Sequence, residues 1–277
     1  MERRAGRGRL PRLFALALIS VWSLGPICFI VAASLSRARD IFVWPPALLS
    51  SPTLANYHAI WTAYPEFAGN LANSFVVAAG ATVLAIAVCT ASGFAYSRFR
   101  SPALAASAFL AILLRMLPPI VLSLPLFPVV NALGLQDTRT VLVILYATFF
   151  VSLGTWIMKT SIDTIPRELD EAARVDGAGT LAIIRRVVMP LSAPGMIALG
   201  VFVAVYAWNE FLFAFLFTTT NAKTAPLAIS EMLGSAEASD YGVLFAAATV
   251  QLAPVLLGVL LAQRYLIAGL SAGGVKG

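Results

Sequence analysis

The side chains that could do covalent or metal chemistry are few and far apart in this 277-residue chain. Cys28 and Cys89 each sit inside an apolar run, and the single histidine, His58, follows "LANY". Two isolated thiols and one distant imidazole cannot make a metal cage. The cysteines read as buried small hydrophobes, and His58 as a surface residue. A phosphate-binding loop needs Gly-Lys followed by Ser or Thr, because backbone amides and the lysine hold the phosphates. The three lysines, Lys159, Lys223 and Lys276, follow Met, Ala and Val. Any nucleotide-driven process would therefore need a second polypeptide. An enzyme reading fails for want of a nucleophile–base or metal-ligand cluster. What remains are polar residues inside apolar stretches: Arg115, and Trp208, Asn209 and Glu210 within "WNEFLF". A charge inside a membrane costs at least about 2.5–3.5 kcal/mol and normally faces a partner or a cavity. These residues read either as lining a path or as fixing packing, and both readings stand at this point.

The elements that must position them are apolar. The chain is 60% hydrophobic and only 12% charged, with mean hydropathy +0.87, which indicates a polytopic membrane protein. The net charge of +6 invites a nucleic-acid reading, but the basic residues do not form one face. A span needs about 20 apolar residues, and six stretches qualify: 13–35, 70–97, 104–130, 139–159, 194–218 and 242–263. The third carries Pro118, Pro119, Pro125 and Pro128, which predicts a kinked or interrupted helix inside a bundle. Leu13 to Leu35 follows a basic N-terminus as a signal peptide does. Its 23 uncharged residues exceed the roughly 7–15 of a signal core, so it reads as a retained span. Of the 19 basic residues, an N-terminus in the cytoplasm puts Arg3, Arg4, Arg7, Arg9, Arg12, Arg98, Arg100, Lys159, Arg167, Arg174, Arg185, Arg186, Arg264 and Lys276 inside. Only Arg37, Arg39, Arg139 and Lys223 are then outside. That bias predicts both termini in the cytoplasm. Counting about 1.5 Å per residue from Pro194 places Glu210 about 24 Å up, toward the outer leaflet, and Arg115 nearer the middle.

Residues 163–190 form a polar block between the fourth and fifth spans, on the cytoplasmic side. Pro166 suits the first turn of a helix, where its missing N–H has no helical partner. Arg167–Glu171 and Asp170–Arg174 are i,i+4 opposite-charge pairs. Gly177 can take φ > 0 and stop the helix. Thr180 can cap a second helix, "LAIIRRVVM", which Pro190 ends or kinks. The expected product is a helix–turn–helix at the membrane surface. Ala172 and Ala173, flanked by Leu169 and Val175, permit close approach of another surface. A docking site and an amphipathic helix lying on headgroups remain equal readings from physics alone.

The block resembles a family. Glu171-Ala172-Ala173, three residues, Gly177, then nine residues to "VVMP" is similar to the EAA loop of the membrane subunits of bacterial ABC importers. The family pattern is EAA-x3-G-x9-I-x-L-P, and here Val187 and Met189 replace its Ile and Leu. The C-terminal "QRYLIAGLSAGGVKG" resembles the tail of the second permease of maltose-type carbohydrate importers. The resemblance runs from about residue 70 to the end, while the first span fits in topology only.

The resemblance implies an all-α integral membrane protein: one transmembrane domain over 1–277, a six-helix bundle of the type I importer kind. Its coupling helix–turn–helix occupies 163–190 and its C-terminal tail 269–277. Glu171, Ala172, Ala173, Asp176, Gly177, Ala178 and Pro190 become the surface that docks on an ATPase. Gly269, Gly273, Gly274, Lys276 and Gly277 become a tail contact between two ATPase subunits. The implied partners are a homologous second permease, two ATP-binding cassette subunits that bind ATP and Mg, and an extracytoplasmic sugar-binding protein. Bacterial inner membrane lipid surrounds the assembly, and no nucleic acid takes part. This chain would bind no cofactor and catalyse nothing. Arg115, Trp208, Asn209 and Glu210 would then line the sugar path or its outer gate, with Trp208, Phe211 and Phe213 able to stack on sugar rings. The outer stretch "NAKTAPLAISEMLGSAEASDYG" is net acidic and long enough for a short helix. In the maltose-type system the corresponding loop probes the binding protein, and a plain connector serves equally here. Polyols, glycerol phosphate, amino acids or phosphate are other solutes for such a permease. A stand-alone secondary transporter would use midplane acids, broken helices and internal repeats, and would leave the EAA-like block without a task.

Overall fold

The computed structural model describes residues 9–45, 47–234 and 241–272, and among them every regular element is helical. The chain divides into two units, Met1–Ala68 with Ile229–Ala253, and Gly69–Ala228 with Pro254–Gly277.

The first unit opens with α1 (Arg9–Ser34), followed by the short α2 (Ala38–Ile41) and α3 (Ala55–Ala63). Asn56 of α3 donates to the carbonyls of Ser34 (2.8 Å) and Ser36 (2.9 Å), satisfying groups that α1 leaves open at its C-terminus. Ser34 and Tyr57 share a hydroxyl hydrogen bond at 2.7 Å. Cys28 is exposed on α1, which corrects its expected burial: α1 presents a long apolar face that nothing in its unit covers. His58 is exposed, as expected.

The second unit is built on α4 (Phe67–Arg98), α7 (Arg139–Asp163) and α10 (Ala193–Asn209). Their shared core includes Val77, Ala81, Ala85, Cys89, Leu142, Tyr146, Met158, Leu199 and Val203. Small residues allow close crossing, as in membrane bundles generally. A Cβ on Gly93 of α4 would stand 2.7 Å from the Met158 Cβ and 2.9 Å from the Lys159 nitrogen of α7.

Between α4 and α7 lie α5 (Pro102–Arg115) and α6 (Pro119–Ala132), bent by 103°. The interruption expected from four prolines comes from two of them. Pro118 caps α6 and Pro119 starts it, while Pro125 and Pro128 are carried inside the helix without ending it. After α7 come α8 (Arg167–Val175) and α9 (Thr180–Leu191), the latter meeting α10 at 82°. The expected span 194–218 is not one helix. It stops at Asn209 and restarts as α11 (Leu212–Phe217), before α12 (Ala225–Gly234) and α13 (Tyr241–Ala272). Among the described residues four helices are long and apolar enough to cross a membrane, or six if each bent pair counts as one span.

Candidate functional site

The polar block folds into a helix pair. Pro166 is the N-cap of α8, one position earlier than expected, and still loses nothing by lacking an N–H. The helix stops in a Schellman cap: Gly177 at φ +82° donates to the Arg174 carbonyl at 3.0 Å, and Ala178 to that of Ala173 at 2.9 Å. Thr180 does not cap α9. Gly179 takes the extended N-cap position, so Thr180 becomes the first helical residue and its hydroxyl makes no cap. Within α9, Ile184–Val188 form a π turn that ends with Met189 donating to the Ile184 carbonyl. Pro190 lies inside α9, and the break with α10 follows two residues later at Ser192.

Burial sorts the expected docking residues. Glu171, Ala172, Asp176, Gly177 and Pro190 are exposed, whereas Ala173 and Ala178 are partly buried against the core. Ala173, Asp176, Gly177, Ala178 and Arg186 border a recess of about 400 Å³ between α8 and α9. Val175 is 88% and Leu181 78% exposed, so this hairpin turns apolar side chains outward. Its open face also carries Glu168, Glu171 and Asp176.

The expected i,i+4 pairs of α8 are absent from the ion pairs among the described residues. Asp170 turns inward and binds Arg98 at the end of α4, Nε to Oδ2 at 2.6 Å, with both side chains almost fully buried. The same guanidinium donates to the Ile165 carbonyl (3.1 Å) and the Ser97 hydroxyl (3.2 Å). Arg167 reaches back to the Ser97 carbonyl at 2.8 Å, a cation on an open helix C-terminus. Ser97 donates to Asp163 at 2.6 Å, which pairs with Lys159 at 2.5 Å. A local pair on an exposed helix is worth only a few tenths of a kcal/mol, so a buried partner outcompetes it. Sequence reasoning missed Arg98 and Asp170 as partners. The available signal was a lone Asp on the face of α8 that also carries Ala173.

The candidate path residues do not converge. Arg115 ends α5, is exposed, and stands 5.2 Å over the Phe149 ring. Phe149 stacks on Tyr206 at 4.8 Å and 5°. No ion pair joins Arg115 to Glu210 among the described residues. Glu210 is buried at the break after α10 and caps α11, accepting from the backbone of Phe213 (2.9 Å) and Ala214 (3.4 Å). Asn209 is exposed and donates to its own helix at the Val205 carbonyl, 2.7 Å. Trp208 is buried and borders an apolar recess of about 410 Å³ with Phe75, Val83 and Pro254. Phe213 is buried in the core and Phe211 stacks on Phe215 at 5.6 Å.

At the other end of α4 a second polar cluster holds the segment after α11. Asp137, at φ +56°, accepts backbone N–H groups of Thr219 (3.0 Å), Thr220 (3.1 Å), Asn221 (2.9 Å) and Ala222 (3.1 Å). Partial burial opposes its charge, but the four N–H donors prevail and hold the carboxyl well below the usual carboxylate range. Asn73 of α4 donates to the carbonyls of Asn221 (3.0 Å) and Lys223 (2.8 Å) and accepts from Arg139 at 2.7 Å. Ser74 accepts the first N–H of α12, from Ala225, at 2.8 Å. The tail residues Gly273, Gly274, Lys276 and Gly277 lie outside the described residues, and Gly269 falls within α13.

Comparison with known proteins gives this geometry a family. Residues 87–271, more than half of the chain, match the binding-protein-dependent transport system inner membrane component. The trehalose transport system permease protein SugB of Mycobacterium tuberculosis is 34% identical over 94% of this chain and 95% of its own. The sulfoquinovosyl glycerol transport system permease protein SmoH of Agrobacterium fabrum is 32% identical, covering 98% and 95%. The trehalose/maltose transport system permease protein MalG of Thermococcus litoralis is 29% identical, covering 97% of each. Among solved structures, a chain of a bacterial ABC transporter involved in import of the acidic polysaccharide alginate superposes with TM-score 0.79 at 20% identity, covering 96% of this chain and 98% of that one. That likeness is one of fold: the type I importer fold. The chain belongs to the family of inner membrane components of binding-protein-dependent transport systems, as a multi-pass membrane permease.

Proposed function

We propose that this chain is the permease subunit of an ATP-driven importer, forming half of the passage for a carbohydrate that an extracytoplasmic binding protein delivers. The observation that carries the reading is the α8–α9 hairpin, which is anchored rigidly on one side and open on the other. Its outward Val175 and Leu181 offer apolar points that a partner surface can cover. A helix lying on headgroups uses a basic polar face to meet anionic lipid. The exposed face of the hairpin instead mixes Glu168, Glu171 and Asp176 with Arg167, Arg174, Arg185 and Arg186, and charges of both signs on one face suit the complementary charges of a protein partner. That partner is the ATPase pair, and it binds the ATP and Mg. The remaining partners are a homologous second permease and the binding protein, with both termini of this chain in the cytoplasm.

Names of the relatives support the substrate class: trehalose, trehalose or maltose, and sulfoquinovosyl glycerol. Glycerol phosphate or a polyol is the second choice of solute. Arg115 is the path residue that keeps its place in the proposal. Its guanidinium nitrogens have no hydrogen-bond or ion partner among the described residues, and an intramembrane cation in that state faces a cavity or a neighbouring subunit. Glu210 acts as a helix cap, a packing role. Switching follows if ATP binds one arrangement of the assembly better than the other. The test is co-expression with the neighbouring ATPase and binding-protein genes, followed by uptake of a labelled sugar panel into vesicles. ATP-dependent uptake of a sugar supports the proposal, and gradient-driven uptake by this chain alone overturns it.

A further inference from the structure

We propose that Arg98, Asp170 and Asn73 make α4 the rod of a linkage that carries movement of the α8–α9 hairpin to the segment 218–225 at the opposite end of the same helix. The inference rests on the reading of that hairpin as the ATPase contact.

The two clusters are on one rigid element. Asn73 and Arg98 both belong to α4, and 25 residues of helix separate them by about 37 Å, more than the roughly 30 Å of a bilayer core. At the inner end the joint is reciprocal. Arg98 of α4 holds Asp170 of α8 and the Ile165 carbonyl just before it, while Arg167 of α8 holds the Ser97 carbonyl of α4. A helix tied in both directions by charge-assisted bonds, one of them a buried ion pair, moves with its anchor. At the outer end Asn73 and Ser74 hold Asn221, Lys223 and Ala225 by three backbone hydrogen bonds. Asp137 locks the same turn from the α6–α7 connection. Gly93 lets α4 lie directly on the α7 backbone, which gives the rod a bearing surface. Asp170 keeps one buried carboxylate oxygen, Oδ1, without a hydrogen-bond partner. Arg98 and Asp170 are positioning residues, acting on the ATPase contact through α8.

The test uses the complete transporter carrying Thr220→Cys and Cys28→Ser, and reads maleimide labelling of position 220 with and without ATP plus vanadate. ATP changes the labelling rate in the otherwise unaltered protein. Asp170→Asn and Arg98→Gln each reduce that change about tenfold while the ATPase still co-purifies and hydrolyses ATP. Asn73→Ala reduces it similarly, and the Asn73→Ala/Asp170→Asn pair is no worse than the more severe single. The exchanged pair Arg98→Asp/Asp170→Arg remakes the ion pair but not the donation to the Ile165 carbonyl, and so recovers part of the response, which loss of packing alone does not allow. A labelling rate indifferent to ATP, full response in the single variants, or additive losses in the pair would overturn the linkage. Amide exchange of α8 in the isolated permease reads the joint without the ATPase: Asp170→Asn accelerates it, and an unchanged rate overturns the proposal. Should no ATPase co-purify with the unaltered chain, the ATPase-contact reading fails, and this exchange measurement alone then judges the joint.

Discussion

At the scale of single residues, two positions separate conformation from contact. Gly177 stands at φ +82° with open space around its missing Cβ, so a side chain there meets no clash and strains only the backbone. Valine at this position costs about 1–2 kcal/mol, and asparagine much less, since it visits this region readily. Thermal unfolding of the purified permease is therefore expected to rank Gly, Asn and Val in descending stability. Glu210 is the second case. As the cap of α11, its loss in Glu210→Ala costs about 1 kcal/mol, whereas Glu210→Gln keeps an acceptor and sustains uptake with normal assembly. Lost uptake in a well-assembled Gln variant would return Glu210 to the path. The sequence made Gly177 legible because a helix stop leaves a local signature. It could not show that Asp170 prefers Arg98, 72 residues away, to Arg174 one turn on, because only the folded chain buries that partner. Nor could it show Glu210 as a cap, because "WNEFLF" has no signal that marks a helix break inside an apolar run.

At the scale of elements, the contact of α4 with α7 sets how tightly the second unit is held. Gly93→Leu forces a side chain into the Met158–Lys159 backbone and costs about 1–3 kcal/mol or prevents assembly. Size-exclusion recovery and melting temperature check it, and a normal melt would mean the helices can part at no cost. The 218–222 turn depends on Asp137 in ionised form. Because its folded carboxyl titrates below the unfolded one, the unfolded state takes up protons first on acidification. The contribution is complete above the ordinary carboxylate value of about 3.9 and is lost as pH falls toward the lower folded value. Amide protection at 219–222, corrected for intrinsic rates, is expected to hold from pH 7 to about 5 and weaken below about 4. Asp137→Asn should weaken it throughout the range from pH 7 to about 4, where the native carboxylate is ionised. Four of the six apolar runs fold as single helices long enough to cross a membrane, as their length predicts, and the break at Pro118–Pro119 was visible as well. The 103° bend there and the 82° bend at Ser192 were not, since turn angle depends on what the following helix packs against. The local i,i+4 rule likewise predicted a self-sufficient α8, where tertiary anchoring on α4 decides its charges.

At the scale of the whole molecule, the chain combines an apolar bundle with one polar hairpin, and the proposal assigns the energy source to a neighbour. Family and fold were legible in the EAA-like spacing, because that spacing encodes a helix, a positive-φ stop and a second helix in fixed register. Substrate was less so, since the path residues named from polarity do not converge in this chain. If both termini are cytoplasmic, an impermeant thiol reagent added outside whole cells leaves cysteines introduced at either end unlabelled and labels one at Thr220. The central claim is tested most directly by placing Glu171→Lys and Gly177→Lys together in the hairpin. ATP-dependent sugar uptake and ATPase co-purification are then measured in the same preparation. The account predicts that both are lost while the permease remains folded in the membrane. Undiminished uptake with the ATPase still bound would contradict it.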